Sequence, residues 1–320
     1  MKPAMPKITV LMPAYNAAGY IAEAIRSVLG QSFTDLELLI INDGSTDDTE
    51  KIIHGFTDER IRLINQPNQG IAAALNLGLL NANAGLVARF DADDICMPGR
   101  LSRQYDFLMA HHDHVLVGTN AAYIDAHGDY IFTGRMVAQE DNEIRQLLSG
   151  YCPLIHSTIM FRKQAVMEAG GYNIHAHAFE DHLLWANLVR FGKLANLPDV
   201  LLEVRLAPGS VSIDEKWRTR RFREIKSSSI SNGDISSQEG TELLGILEKQ
   251  NNPKIKEGAY YSLLGKKYLW DNYQPRKARI NLKKAIGIHP ARLDSYAIMA
   301  LSFLPRVVID WLYKQRLRRI

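Results

Sequence analysis

At 320 residues, 46% of them hydrophobic and 23% charged, the chain can bury a large core with a smaller appendage, which excludes a disordered protein. Net charge is +3, and Pro305 to Ile320 hold Arg306, Lys314, Arg316, Arg318 and Arg319 against Asp310; that local +4 leaves −1 for the other 304 residues, so nucleic acid is not expected as a partner. Cys96 and Cys152 lie far apart without metal-site spacing, which excludes a disulfide scaffold or zinc site and points to a reducing cytoplasm; no apolar leader or spanning run of ~18–20 residues is present.

The first hundred residues alternate between two periods. Ile8 to Met12 reads as a buried strand stopped by Pro13, after which Ile21, Ala24, Ile25, Val28 and Leu29 recur at helical spacing. Leu36 to Ile41 is a second strand, Asp47 to Phe56 a helix, Ile61 to Ile64 a third strand, Ile71 to Leu80 a helix and Leu86 to Phe90 a fourth strand. Apolar strands separated by helices predict an α/β fold, a mainly parallel sheet flanked by helices. Ligands of such sheets bind beyond the carboxyl ends of the strands. From about Val115 the pattern changes. Ala121 to Thr133 alternates around His127-Gly128-Asp129 as a hairpin, Ser157 to Phe161 reads as a strand, Asp181 to Phe191 as a helix and Val200 to Leu206 as a late strand. Beyond Asp214 strand signals nearly vanish. Ser227 to Gly233 reads as a linker or helix break, and Tyr260 to Ile286 as a helical hairpin interrupted at Pro275. Through Ala278, Ala285 and Pro290 that hairpin resembles one tetratricopeptide-like unit; a single unit cannot stack into a solenoid, so it reads as a helical cap. The expected division is a domain over 1–214 and a C-terminal helical appendage over 215–320.

Three polar turns follow the strands: Pro13-Ala14-Tyr15-Asn16, Asn42-Asp43-Gly44-Ser45-Thr46-Asp47 and Asp91-Ala92-Asp93-Asp94. Extended backbone would set Asp91 and Asp93 on one side. Two such carboxylates repel unless a cation joins them, and hard oxygen ligands suit Mg²⁺ or Mn²⁺ completed by substrate phosphates. The competing reading is that Asp93 or Asp94 caps the helix starting near Pro98. Thr46 or Asp47 suits a helix cap with Glu50 as its partner, whereas Asp43 either accepts a hydrogen bond from a ligand N–H or forms an Asx-turn. Asp181 follows Glu180 at the start of an apolar helix, where a carboxylate is favoured; it reads either as an ordinary first-turn acidic residue or as a base exposed enough to reach a hydroxyl.

Together with Asn68-Gln69-Gly70, Pro98-Gly99-Arg100-Leu101, Gly170-Gly171-Tyr172 and Glu180-Asp181, these motifs make residues 7–212 resemble a family 2 glycosyltransferase with the GT-A fold. The resemblance implies an inverting, metal-dependent transfer from a nucleotide sugar, UDP-linked above all. It implies donor contacts at Pro13, Tyr15, Asn16, Asp43, Asn68, Gly70, Asp91 and Ala92, a Mg²⁺ or Mn²⁺ on Asp93 with Asp91, and Asp181 as general base. Glu180 and His156 are the acceptor-side candidates, His156 being equally readable as a structural histidine. Many relatives carry a histidine where Ala207 stands, within Arg205-Leu206-Ala207-Pro208-Gly209-Ser210, so a histidine metal ligand is not expected; Arg205 and Ser210 meet phosphate or tie down the loop.

Val307, Val308, Trp311, Leu312 and Tyr313 interleave with the basic residues of 305–320, as in a helix lying on an anionic membrane surface or in an ordinary terminal helix with solvated charges. The expected function is sugar transfer to a hydroxyl of a growing cell-surface glycan or lipid-linked acceptor, in the cytoplasm and peripheral to the inner face of the membrane. A sugar nucleotidyltransferase would want a Gly-rich basic loop after the first strand, which Pro13-Ala14-Tyr15-Asn16 is not. A catalytically silent nucleotide-sugar-binding scaffold is the third class, and the presence of Asp43, Asp91, Asp93 and Asp181 argues against it.

Overall fold

The computed structural model describes residues 5–208 and 218–317, without the side chains of 316 and 317. Ser210, the expected boundary at 214, and Arg318 and Arg319 lie outside the described residues.

Seven almost wholly buried residues form β1 (Ile8–Ala14). Then α1 (Ile21–Leu29), β2 (Leu36–Asp43), α2 (Thr49–His54), β3 (Ile61–Gln66), α3 (Ile71–Asn81) and β4 (Leu86–Arg89) follow in strict alternation. Next come β5 (Ile95–Cys96), α4 (Arg100–Ala110), the hairpin strands β6 (His114–Ile124) and β7 (Tyr130–Gly134), α5 (Asp141–Leu147) and a 3-10 turn over His156–Thr158. They are followed by β8 (Met160–Arg162), α6 (Lys163–Glu168), α7 (Glu180–Leu188) and β9 (Lys193–Arg205). The helices α8 (Arg220–Asn232), α9 (Ser237–Gln250), α10 (Pro253–Trp270), α11 (Pro275–Ile288), α12 (Leu293–Leu301) and α13 (Arg306–Leu317) complete the described chain.

The strands form one mixed sheet in the order β3-β2-β1-β4-β8-β6-β9-β5, with β7 paired to β6. Its first half, β3 to β4, is parallel. In its second half β8 runs antiparallel to β4 and β6, and β5 antiparallel to β9. This is the expected α/β sheet flanked by helices with a helical C-terminal region. Leu11, Leu39, Leu75, Val87, Phe161 and Trp185 belong to one core joining sheet and helices. Among the described residues no helix is long and apolar enough to cross a membrane.

Contacts divide the chain into two compact units that interleave in sequence. The first comprises Met1–Ala121, Gly134–Val204 and Arg221–Leu244; the second comprises Ala122–Thr133, Arg205–Arg220 and Gly245–Ile320. The second has its own core of Ile131, Leu206, Tyr260, Leu264, Tyr268 and Ile309. Within it, α11 approaches α10 closely at Gly265, where a Cβ would lie 2.5 Å from the Leu282 side chain. Asp125 organises the hairpin turn: its Oδ1 accepts the His127 and Asp129 N–H groups (2.9 and 3.0 Å) and its Oδ2 the Tyr268 hydroxyl (3.0 Å). Arg205 donates to the Asp125 carbonyl oxygen (3.3 Å), which ties it to this loop.

Three local expectations are corrected. Ser227 to Asn232 is not a linker but the last turns of α8, where Ser229 and Ser231 donate to the Ile225 and Ser227 carbonyls (2.8 and 3.0 Å); the helix break falls at Gly233, with φ of 77°. Ser157 to Phe161 is not one strand, because 156–158 coils before β8 begins at Met160. Finally, Glu50 is no capping partner of Thr46 or Asp47: it accepts from Asn65 (2.7 Å), and Asp47 binds the N–H and hydroxyl of Thr49 (3.0 and 2.5 Å).

Candidate active site

Because β1, β2 and β4 are parallel neighbours, the turns after them open on one edge of the sheet. Pro13 is still in β1, and Tyr15 beyond it is 51% exposed. Asn16 adopts a left-handed φ of 49°, which Asn tolerates better than most residues. Its N–H donates to Ser45 Oγ (3.0 Å) and its Oδ1 accepts the Thr46 N–H (2.8 Å). The Ala17 and Ala18 N–H groups reach Thr49 Oγ1 and Asp47 Oδ2 (2.8 and 3.0 Å). Asn16 therefore laces the first two turns together, and Tyr15 stands out from them.

The buried Asp43 carboxylate is not spent on an Asx-turn. Its Oδ1 accepts from Gln66 Nε2 (2.6 Å) and the Gln69 N–H (2.9 Å), and its Oδ2 from the Gly70 N–H (2.9 Å). It thereby ties the loop that carries Asn68 and Gly70, and the start of α3, to the end of β2. A carboxylate has about four acceptor positions, so three donors leave room for one more. Gly44 is required here: at φ of 73°, a Cβ would lie 2.7 Å from the Asn68 nitrogen.

After β4 the backbone is not extended. Residues 91–94 form a turn closed by the Asp94 N–H on the Asp91 carbonyl oxygen (3.3 Å), and this turn, rather than strand alternation, sets Asp91 and Asp93. Ala92 and Asp94 are buried and Asp93 partly exposed. Neither Asp93 nor Asp94 caps α4, whose N-cap is Gly99.

Beneath this turn lies a residue that sequence reasoning missed. Arg89 is buried and pairs with the Asp91 carboxylate, while its Nε has no hydrogen-bond partner among the described residues. Burial works against its charge, and Asp91 more than restores it, so its pKa is raised. Arg100, also buried, props Arg89 from behind by donating to its carbonyl oxygen (2.7 Å), with its guanidinium 5.7 Å from the Phe90 ring. The available signal was an arginine closing an apolar strand two residues before the aspartate turn.

Since β8 is antiparallel to β4, the segment just before it lies at the same edge. There His156 Nε2 is 3.0 Å from the Tyr172 hydroxyl, and the ring meets Trp185 edge-on. Burial, with the Arg89 charge behind it, holds the His156 imidazole well below its usual range, so it is neutral at pH 7. Tyr172 is held by Asn76, which donates to its carbonyl oxygen (2.7 Å) and accepts its N–H (2.9 Å). Asn76 is a second residue missed: an amide in a helix gives no hint of clamping a loop 96 residues on.

Glu180 and Asp181 open α7 after Ala178, a non-glycine residue at φ of 67°. Burial and the adjacent Asp181 push Glu180 up to about 7. Burial raises Asp181 as well, opposed by the His182 N–H (2.7 Å) and by the charges of Lys226 and Arg89. Both carboxylates thus sit above their usual range within electrostatic reach of the buried Arg89.

Among the described residues no group of three or more His, Cys, Asp or Glu forms a complete metal cage. Asp91 and Asp93, two hard carboxylates in one turn, fit instead a Mg²⁺ or Mn²⁺ whose remaining ligands come from phosphate and water.

Residues 9–170 match the family described as glycosyl transferase family 2. The chain is 31% identical over 215 residues to the amylovoran biosynthesis glycosyltransferase AmsE of Erwinia amylovora, covering 65% of this chain and 80% of that one. In three dimensions it is similar to S. aureus TarS 1–349 in complex with UDP-GlcNAc, with a TM-score of 0.55, 18% identity and coverage of 97% of this chain and 92% of that one. It is similar also to the mannosyltransferase PcManGT of Pyrobaculum calidifontis in complex with GDP-Man and Mn²⁺, with a TM-score of 0.54, 16% identity and coverage of 94% and 86%. With half its length matched by the family model and the GT-A-type fold in common, the chain belongs to glycosyl transferase family 2.

Proposed function

We propose that this glycosyltransferase moves a sugar from a nucleotide-diphosphate donor, a UDP-sugar first, to a hydroxyl of a growing cell-surface glycan or lipid-linked acceptor, with inversion. What carries the reading is one sheet edge that holds the Asp43-anchored loop, the Asp91–Asp94 turn on Arg89 and the raised Glu180–Asp181 pair. UDP-GlcNAc in the TarS complex and the biosynthetic role in the name of AmsE support the donor class and the polysaccharide context.

In this reading Tyr15 and the remaining acceptor position of Asp43 meet the nucleobase, within a pocket bordered by Pro13, Asn68 and Gly70. Ala92, small and buried, lets the ribose and diphosphate approach the Asp91 turn. Asp93 and Asp91 would hold the Mg²⁺ or Mn²⁺, whose charge offsets that of the departing diphosphate. Asp181 accepts the proton of the attacking hydroxyl, Glu180 and neutral His156 orient the acceptor, and one displacement from the opposite face inverts the anomeric centre. The test is release of nucleoside diphosphate from a panel of UDP- and GDP-sugars with glycan acceptors, with and without Mn²⁺. Binding of nucleotide without release from any donor would overturn the reading in favour of a silent scaffold.

A further inference from the structure

The basic excess of this chain begins a helix earlier than its tail. From Gln274 to Ile320 there are eleven Lys and Arg against two Asp, a net of +9, which leaves −6 for the preceding 273 residues. On α11, Arg276, Lys283 and Lys284 are exposed.

The same half of the second unit exposes apolar side chains that its core does not use. The inner face of α13 is spent on the unit itself: Ile309 is fully buried in its core, and Tyr313 stacks on Trp270 at 6.1 Å and donates to Asp271 (3.1 Å). Its outer face still carries Val307 and Trp311, 80% and 58% exposed, preceded at the same four-residue spacing by Phe303 at 70%. On α12, Leu293 (79% exposed) and Tyr296 repeat this at helical spacing with the exposed Ala297 and Ala300. Cations flank the stripe: Arg279 lies 4.8 Å over the Phe303 ring, Arg306 pairs with Asp310 at 3.6 Å, and Lys314 is exposed one turn beyond Trp311.

A helix whose inner face is packed gains nothing within the monomer from a second apolar stripe, and solvent exposure of that stripe is unfavourable. A second copy of the chain would bring another +9 against the first. A soluble polyanion would match the charge but offer Val307, Trp311 and Leu293 nothing apolar. An anionic bilayer surface supplies both, negative headgroups and acyl boundary within one helix radius. We propose that the outer face of α13 with Phe303, backed by the basic C-terminal half of the second unit, docks on anionic lipid, with Val307 and Trp311 entering the interface. This does not rest on the assignment of the transfer site.

The test is flotation of the full chain with vesicles of phosphatidylcholine alone or mixed with phosphatidylglycerol, at low and high salt. The full chain should float with the anionic vesicles, and salt should weaken this because the Debye length shrinks to about 3 Å at 1 M. Each cation near the surface contributes about fivefold in partitioning, so Arg306→Gln with Lys314→Gln should reduce it about 25-fold. Val307→Ser with Trp311→Ser should reduce it by at least about tenfold. Both pairs are exposed, so circular dichroism and melting should match the parent. No flotation at low salt, equal flotation with neutral vesicles, or indifference to both pairs would overturn the proposal. So would a dimer in sedimentation that the Val307/Trp311 pair dissolves, since the occupant would then be a second copy.

Discussion

The buried Arg89 guanidinium and the one-third exposed Asp91 carboxylate form an ion pair across two residues at the end of β4, with the Asp91–Asp94 turn built on top of it. The same charge pulls down the pKa values of Glu180 and Asp181, so one arginine acts on both the turn and the carboxylate pair. Arg89→Met should leave these carboxylates less compensated. Removing one partner of a fully buried pair costs about 3–5 kcal/mol, and less here because Asp91 is partly solvated. A base acts only when ionised, so with Arg89 gone the acidic limb of kcat/KM should move to higher pH. Arg89→Lys should restore much of the original profile. A pH–rate profile that Arg89→Met leaves in place would show that this cation does not govern the base.

Asp93→Ala should abolish the Mn²⁺-dependent part of UDP affinity, by at least about tenfold, without unfolding a residue that is partly exposed. Calorimetry of UDP with and without Mn²⁺ separates the outcomes, since equal affinities in the variant and the parent would remove Asp93 from the cation.

Asp43→Ala should both loosen the chain and weaken nucleotide binding, because three donors from Gln66, Gln69 and Gly70 lose their shared acceptor. Hydrogen bonds to a charged group contribute about 1.5–3 kcal/mol each, and unpaired N–H groups regain water, so a net loss of roughly 2–4 kcal/mol is expected in urea unfolding. Asp43→Asn should do little better, because its amide turns a donor toward donors. An unchanged urea midpoint in both variants would mean that the loop holds itself.

How much of this was legible follows from where each interaction closes. The parallel half of the sheet was readable because Ile8 to Met12 and Leu36 to Ile41 are apolar runs separated by amphipathic helices, signals complete within a dozen residues. The partners of Asp43 were not, since they come from the end of β3 and the loop after it, 23–27 residues on. Arg89 ends a strand where a charge ordinarily reads as the edge of solvent; only the fold buries it beneath Asp91. Ser227 to Asn232 looked like a linker because serine is a weak helix former, and only the burial of Ile225 and Ile230 beside them keeps that stretch helical. In the tail the apolar and basic interleaving was visible, but not that Ile309 packs inward while Val307 and Trp311 remain outside.

Glu180→Gln should change stability in a pH-dependent way. The folded-state pKa of Glu180 is raised to about 7 by burial and by Asp181, from an ordinary value of 4.5. Such a group favours the fold while protonated in both states, and this contribution is lost as pH rises from about 4.5 through about 7. Glutamine cannot ionise, so the variant should melt several degrees above the parent at pH 8 and about level with it near pH 4. Melting curves that run parallel across this range would refute the ionisation of a buried Glu180.

Asp181→Asn tests the chemistry most directly. An acceptor hydroxyl is a weak nucleophile until its proton is taken as the new bond forms, and a well-oriented base contributes ~10²–10⁴ in rate, roughly 3–5 kcal/mol. Asparagine keeps the shape and can still accept the His182 N–H through its amide oxygen, so the start of α7 should persist. Turnover should therefore fall by about that factor while UDP affinity, assigned to Asp43 and the Asp91–Asp94 turn, changes little. Glu180 is the rival base at the same helix start, and its glutamine variant is the control. Losing Glu180 removes a like charge from beside Asp181, so the control should move the acidic limb to lower pH and raise the acceptor KM, with a loss of turnover well below that of Asp181→Asn. If Glu180→Gln is dead and Asp181→Asn active, the roles are exchanged. If product NMR shows retained anomeric configuration, a single displacement is excluded and neither carboxylate acts as proposed.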